Sequence, residues 1–157
     1  MTHVVIHTMA QKIKGTYALL LHLEDSFDLS IGALGSRQLE SGWYVYVGSA
    51  QNGLYQRINR HLKSSKKKHW HIDYLLEHCR VEQIWMLRSE RSFECETAKL
   101  LEGKTEYIKG FGCSDCRCIS HLFYGKKEDF QALLRSFNYE CFSVDNFMSG
   151  FCVLEAR

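Results

Sequence analysis

Gly42-Trp43-Tyr44-Val45-Tyr46-Val47-Gly48-Ser49-Ala50, followed by Gly53-Leu54-Tyr55-Gln56-Arg57-Ile58-Asn59-Arg60-His61-Leu62, is the stretch on which the fold turns. The first part alternates aromatic and apolar residues between glycines, so it reads as a strand that ends in a tight turn. The second part puts Leu54, Ile58 and Leu62 four residues apart, one face of a short helix. Arg57 and His61 are also four apart and stack on another face of that helix. A strand thus hands directly to a helix that carries a guanidinium above an imidazole.

Outward from this unit, residues 15–23 read as a strong strand and residues 27–33 as a second one, broken by Gly32 and Gly35. Residues 37–41 read as a polar loop. Three strands in short succession predict an antiparallel meander. Downstream, residues 70–79 read as a helix with Ile72, Leu75, Leu76 and Cys79 inward, and residues 81–87 as a strand. Residues 92–102 read as a helix capped by Ser92 and stopped by Gly103. A Gly- and Cys-rich loop spans 110–120, and residues 122–124 form a short strand. Phe130, Leu133, Leu134 and Phe137 mark an amphipathic helix over 127–138. Val4-Val5-Ile6 reads as a short strand, and residues 139–157 carry no clear pattern. The fold class is therefore mixed α and β (α+β), a small antiparallel central sheet flanked by helices. The expected organisation is one domain over 1–157, with a core of about 13–125 followed by a C-terminal helix and tail.

Composition bounds the function. The chain has 157 residues, 45% of them hydrophobic and 24% charged, with a net charge of +2. That suits one domain with a real core. No run approaches the length of a transmembrane helix and no signal-peptide pattern opens the chain, so a soluble cytoplasmic protein with no membrane partner is expected. Seven cysteines, an odd number, are expected to be thiols or metal ligands rather than a disulfide framework. The overall charge is weak, but Lys63, Lys66, Lys67 and Lys68 cluster just after the Arg57 helix. They are candidates for nucleic-acid backbone contacts, and a solvated charged loop is the competing reading.

The Gly15-Thr16-Tyr17 and Tyr46-Val47-Gly48 pair, followed by Arg57 and His61, resembles the GIY-YIG nuclease superfamily. His69-Trp70-His71-Ile72-Asp73-Tyr74-Leu75 and Gly110-Phe111-Gly112-Cys113-Ser114-Asp115-Cys116 extend the resemblance to an uncharacterised microbial branch. Members of that branch occur alone or fused to endonuclease III-type repair enzymes. The resemblance covers about residues 13–125. It implies a metal-dependent endonuclease with its site on one face of the sheet, nucleic acid (DNA) as substrate, and a DNA-repair enzyme as a partner. Tyr17 and Tyr46 lie 29 positions apart, further than the usual short hairpin allows, so the two rings must be brought together by the fold.

Phosphodiester hydrolysis needs an activated water, a cation against the developing charge, and help for the leaving oxygen. On this resemblance Tyr17 and Tyr46 orient or deprotonate the water as phenol or phenolate. Arg57 holds the phosphate in its planar fork, and His61 assists proton transfer or positions a tyrosine hydroxyl. One Mg²⁺ or Mn²⁺ is expected on a carboxylate. Helical periodicity leaves Glu94 and Glu96 equivalent at the edges of the buried side. The Cys95-Glu96-Thr97-Ala98 run looks like the family's metal-binding glutamate segment and selects Glu96. Trp70 reads as core, and Asp73 as a surface group or a partner of His71 or Arg57.

Two other function classes compete with the nuclease. One is a nucleic-acid-binding module that keeps the fold without turnover. The other places the chemistry in the loop, where Cys113, Cys116, Cys118 and His121 supply three thiolates and an imidazole, a donor set for tetrahedral Zn²⁺. Against zinc stands the spacing. All four lie within nine residues, whereas structural zinc sites usually join two distant pairs.

Overall fold

The computed structural model describes residues 12–149. Val4-Val5-Ile6 lie outside the described residues. A six-stranded antiparallel sheet forms the centre, built from β1 (Gly15–Leu23), β4 (Gly42–Ala50), β5 (Arg80–Arg88), β6 (Glu106–Tyr107), β7 (Leu122–Gly125) and β8 (Glu140–Ser143), in the order β6-β7-β4-β1-β5-β8. Five helices flank it among the described residues: α1 (Leu54–Leu62), α2 (His71–Leu75), α3 (Glu94–Glu102), α4 (Lys127–Ser136) and α5 (Val144–Ser149). None is long and apolar enough to cross a membrane.

The central strands are buried on both faces, which is why their sequences run almost continuously apolar. Alternation then sorts the side chains. Tyr17, Leu19, Leu21, Tyr44 and Tyr46 share a core with Leu54 and Ile58 of α1 and Ile72 and Leu75 of α2. Ala18, Leu20, Val45, Val47 and Trp85 share the opposite core with Ala98 and Leu101 of α3 and Phe130 and Leu134 of α4. Leu54, Ile58 and the rest of α1 start and stop where the four-residue spacing predicts.

Three expectations are corrected. Residues 27–33 and 37–41 do not make a meander with a polar loop. They form a hairpin, β2 (Phe27–Ile31) and β3 (Gly35–Leu39), which is a separate two-stranded sheet, while β1 pairs directly with β4. Leu29, Ile31 and Leu39 give the hairpin a buried side, so it packs as an outrigger. The helix expected over 70–79 stops at Leu75 because its final turns loosen before β5. The unpatterned C-terminal stretch adds β8 to the edge of β5 and seats Phe147 of α5 in the α1-face core, so the sheet extends past residue 125. α3 begins one turn-position later than expected, with Phe93 as N-cap. Ser92 Oγ accepts the Glu94 N–H at 3.1 Å, and Gly103 ends the helix as expected.

Candidate active site and an adjoining cysteine cluster

The β1–β4 register sets Tyr17 opposite Gly48 and Leu19 opposite Tyr46, so the two tyrosines are diagonal neighbours on one face. Their ring centroids are 6.4 Å apart, across the 29 positions of sequence between them. Gly48 makes this possible, because a Cβ there would fall 2.3 Å from Tyr17 Oη. From α1, His61 reaches down to Tyr17, with Oη and Nε2 2.6 Å apart. Tyr17, Tyr46 and His61 are 1%, 8% and 3% exposed, so they form a buried base to the site.

Burial dominates the ionisation of this base. It raises Tyr17 and Tyr46 well above the ordinary phenol range and pulls His61 down to about 3. Both phenols are thus neutral and the imidazole uncharged at pH 7. The Nδ1 of His61 has no partner among the described residues. A buried N–H without an acceptor is costlier and rarer than an unused lone pair. The tautomer that avoids it carries the proton on Nε2 and donates to Tyr17 Oη. Arg57 lies near this oxygen and partly offsets the effect of burial on it. Accepting from His61, the Tyr17 hydroxyl is left to donate its own proton elsewhere.

Above the base lies a cleft of about 350 Å³, bordered by Tyr17, Tyr46, Gly48, Ser49, Arg57, Trp70, His71, Glu94, Gly112, Ser114 and Asp115, among others. Arg57 donates to Ser49 O at 3.1 Å and lies 4.5 Å over the Trp70 ring. Arg60 stacks 4.3 Å from the same ring, so both guanidiniums pack on the indole. Arg60 in turn forks onto Asp73 at 2.9 and 3.0 Å, and Asp73 accepts the N–H groups of His69 and Trp70. These four hydrogen bonds outweigh the desolvation of a residue only 1% exposed and hold Asp73 down at about 2. Asp73 is therefore neither a surface group nor a partner of His71 or Arg57. Its place is under Arg60, and Trp70 packs against the core while also forming a wall of the cleft. Nothing in apolar periodicity distinguishes such an indole; the arginines at 57 and 60 are the signal that could have.

Tyr17, Tyr46 and Arg57 come together at the cleft. His61 touches Tyr17 from behind and does not border the cleft, so it is placed as a positioning residue. Glu96 is not part of the assembly. Its exposed carboxylate pairs with Arg91 at 2.6 Å. Glu94, two residues earlier on α3, turns into the cleft instead. Burial and then Asp115 push it up to about 7, partly opposed by a backbone hydrogen bond from Ser49 and by Arg57. The lysines are dispersed. Lys66 Nζ binds the His61 and Lys63 carbonyls at the end of α1, and Lys68 pairs with Glu77 at 3.0 Å. Lys63, Lys66 and Lys68 border a separate hollow and none of the four lines the cleft.

The six cysteines among the described residues are free thiols. Cys95, Cys116, Cys118 and His121 bring their ligand atoms within 4.8 Å of one another, a group able to hold a metal ion. Cys113 is not in it. Its carbonyl instead accepts the Cys116 N–H at 3.4 Å. The fourth ligand position belongs to Cys95 on α3, which the local C-x-x-C-x-C-x-x-H spacing does not reveal.

A family model described as Domain of unknown function DUF123 matches residues 16–141. No curated protein and no solved structure matches the chain. The matched span runs from β1 to β8 and includes every residue named around the cleft and the cysteine cluster; the chain belongs to the DUF123 family.

Proposed function

We propose that this chain is a Mg²⁺- or Mn²⁺-dependent endonuclease of the GIY-YIG type that hydrolyses phosphodiester bonds in DNA. The observation that carries this reading is the convergence of Tyr17, Tyr46, Arg57 and Glu94 on one cleft. Arg57, braced against Trp70 and Ser49, binds the phosphate through its fork of N–H groups. Each neutral phenol keeps a proton to donate, so the pair orients the attacking water and the phosphate oxygens. Of the two forms expected, phenol and phenolate, this reading uses the phenol. His61 fixes Tyr17 from behind.

The residues present fit a hard cation. Glu94 and Asp115 both border the cleft, close enough for one charge to raise the pKa of the other, and offer the oxygen donors that Mg²⁺ prefers. They would hold the ion, which would offset the charge that accumulates on the phosphate. The metal role is therefore proposed for Glu94 in place of Glu96. DNA-repair enzymes are the proposed partners, on the fusion pattern of the branch that the sequence resembles. Lys63 and Lys67 are proposed contacts for the flanking backbone.

The test is nicking of supercoiled plasmid by the purified protein with Mg²⁺ or Mn²⁺. Arg57→Ala is expected to lower the rate about a hundredfold or more, the usual effect of removing a group that meets developing charge. Tyr46→Phe and Glu94→Gln are expected to lower it as well. Cleavage that survives all three overturns the site. The neutrality of both phenols favours one alternative, a binding module without turnover. DNA binding that weakens in Arg57→Ala, with no cleavage by the parent, would establish it.

A further inference from the structure

The loop over residues 108–121 is anchored near its ends, where Phe111 is fully buried, Ser120 Oγ donates to Ile108 O and Gly112 N–H donates to His71 Nδ1 at 3.0 Å, but it contains no strand or helix. Its backbone is pinned at its ends, by Gly110 N–H to Ile119 O at 2.8 Å and His121 N–H to Phe111 O at 2.8 Å. Between them run turns, with Gly110 and Gly112 at positive φ. Yet this loop supplies Gly112, Ser114 and Asp115 to the cleft. Something other than regular structure must fix it against α3, from which Glu94 projects.

We propose that Cys95, Cys116, Cys118 and His121 form a tetrahedral zinc site that fastens this loop to the first turn of α3 and thereby sets the second wall of the cleft. The donor set is Cys₃His, one of the closed combinations of structural zinc, and soft thiolates select zinc over the hard ions expected at Glu94. The spacing objection disappears, because Cys95 comes from a helix and the other three from a loop some twenty positions on. The distances agree. Zinc bonds of ~2.3 Å to sulfur and ~2.0–2.1 Å to nitrogen, at tetrahedral angles, require S···N of ~3.6 Å and S···S of ~3.8 Å. Cys116 Sγ and His121 Nε2 are 3.5 Å apart, and all four ligand atoms lie within 4.8 Å of one another.

The surroundings of His121 agree as well. The residue is 1% exposed, with Nε2 turned to the thiols. Its other nitrogen, Nδ1, lies 3.9 Å from Glu94 Oε1. A carboxylate on the far side of the imidazole is the usual companion of a zinc-bound histidine; at 3.9 Å Glu94 stands near that position without a hydrogen bond. The same carboxylate borders the cleft. The zinc site and the cleft therefore share Glu94, one through its neighbour Cys95 and the imidazole, the other directly. This inference does not rest on the nuclease reading, since it concerns a structural ion and stands whether or not the cleft cuts anything.

Metal analysis of the full-length protein tests it. Stoichiometric zinc is expected, released when an organomercurial titrates the thiols. Replacement by Co²⁺ is expected to give the thiolate charge-transfer absorption and intense visible bands of a tetrahedral sulfur-rich site. Cys95→Ser and Cys118→Ser are expected to lose zinc, while Cys113→Ser and Cys79→Ser keep it. Because a ligand variant can fail to fold, hydrogen exchange on the parent provides a second reading. Zinc removal is expected to speed exchange over 108–121 and leave the β1–β4 amides protected. Folded protein free of zinc and unable to bind Co²⁺ overturns the proposal. So does zinc that persists in Cys95→Ser and is lost in Cys113→Ser. These readouts are independent of nicking, so failure of either proposal is distinguishable from failure of the other.

Discussion

The cleft has two kinds of wall. One is made of β1, β4 and α1 and carries Tyr17, Tyr46 and Arg57. The other is made of the first turn of α3 and the loop over 108–121 and carries Glu94, Gly112, Ser114 and Asp115. The first is held by a continuous antiparallel ladder from Gly15–Ala50 to Leu23–Gly42 and by apolar side chains buried on both faces. The second has a helix terminus, turns, left-handed glycines and four side chains able to hold a metal ion. The difference teaches that a regular scaffold can place phenols and a guanidinium by register alone. Placing a carboxylate on irregular chain needs a local fastening. The first wall should therefore fail by ordinary unfolding, and the second by loss of its fastening.

The largest effect that sharpens this contrast is expected at Asp73. It lies under the first wall and joins α1, through Arg60, to the segment that carries Trp70. Removing one partner of such a buried pair leaves the rest uncompensated. Asp73→Ala is expected to lower stability by about 3 kcal/mol in urea unfolding, whether or not zinc is present. A loss that appeared only in the zinc-loaded protein would tie Asp73 to the second wall and break the contrast.

Acid should act on the same wall. Asp73 is depressed to about 2, so its contribution is complete above the ordinary carboxylate range and is lost as pH falls through about 4 to 2. His61 is depressed to about 3. The unfolded chain therefore takes up its proton first, and stability falls as pH drops from about 6.5 towards 3. Together they predict that the unfolding free energy from urea titration falls steadily below pH 6, by about 2 kcal/mol or more at pH 3 from Asp73 and His61 combined. Asp73→Ala should flatten the lower part of that curve. A profile level from pH 6 to pH 3 would show that neither group is held as described.

How much of this was legible in the sequence follows the same division. The strand from Gly15 to Leu23 and the helix from Leu54 to Leu62 are regular elements, where alternation and four-residue spacing act directly, while the meeting of Tyr17, Tyr46 and Arg57 was expected from the family resemblance. The β2–β3 hairpin was half legible. Its apolar residues were visible, but which sheet they join depends on packing around Leu29 and Leu39. β8 was invisible because a four-residue edge strand carries too short a pattern. In the second wall, Cys116, Cys118 and His121 were legible as ligand types. Cys95 was not, since its membership depends on how the loop folds back over α3. Trp70 was legible as packing against the core but not as a cleft wall, and the pairing of Asp73 with Arg60 was missed, because both contacts are selected by tertiary approach.

The smallest effect separates two glutamates that share one turn of α3. Periodicity placed Glu94 and Glu96 alike at the edge of the buried side, and the choice of Glu96 followed from a sequence resemblance. The carboxylates now stand apart. Glu94 is turned to the cleft, beside Ser49, Asp115 and His121. Glu96 is on the surface, paired with an Arg91 whose own side chain is 62% exposed. An ion pair in that setting contributes under about 1 kcal/mol, and less as salt rises. Glu96→Gln is thus expected to leave nicking, zinc content and the urea midpoint within error of the parent. Glu94→Gln, the same change of charge two residues away, should depress nicking. If Glu96→Gln lost activity while Glu94→Gln kept it, the second wall would have to be rebuilt with α3 turned, and Cys95 would leave the cluster with it. A null result at Glu96 thus supports the rotational setting of α3 on which both the cleft and the zinc site depend.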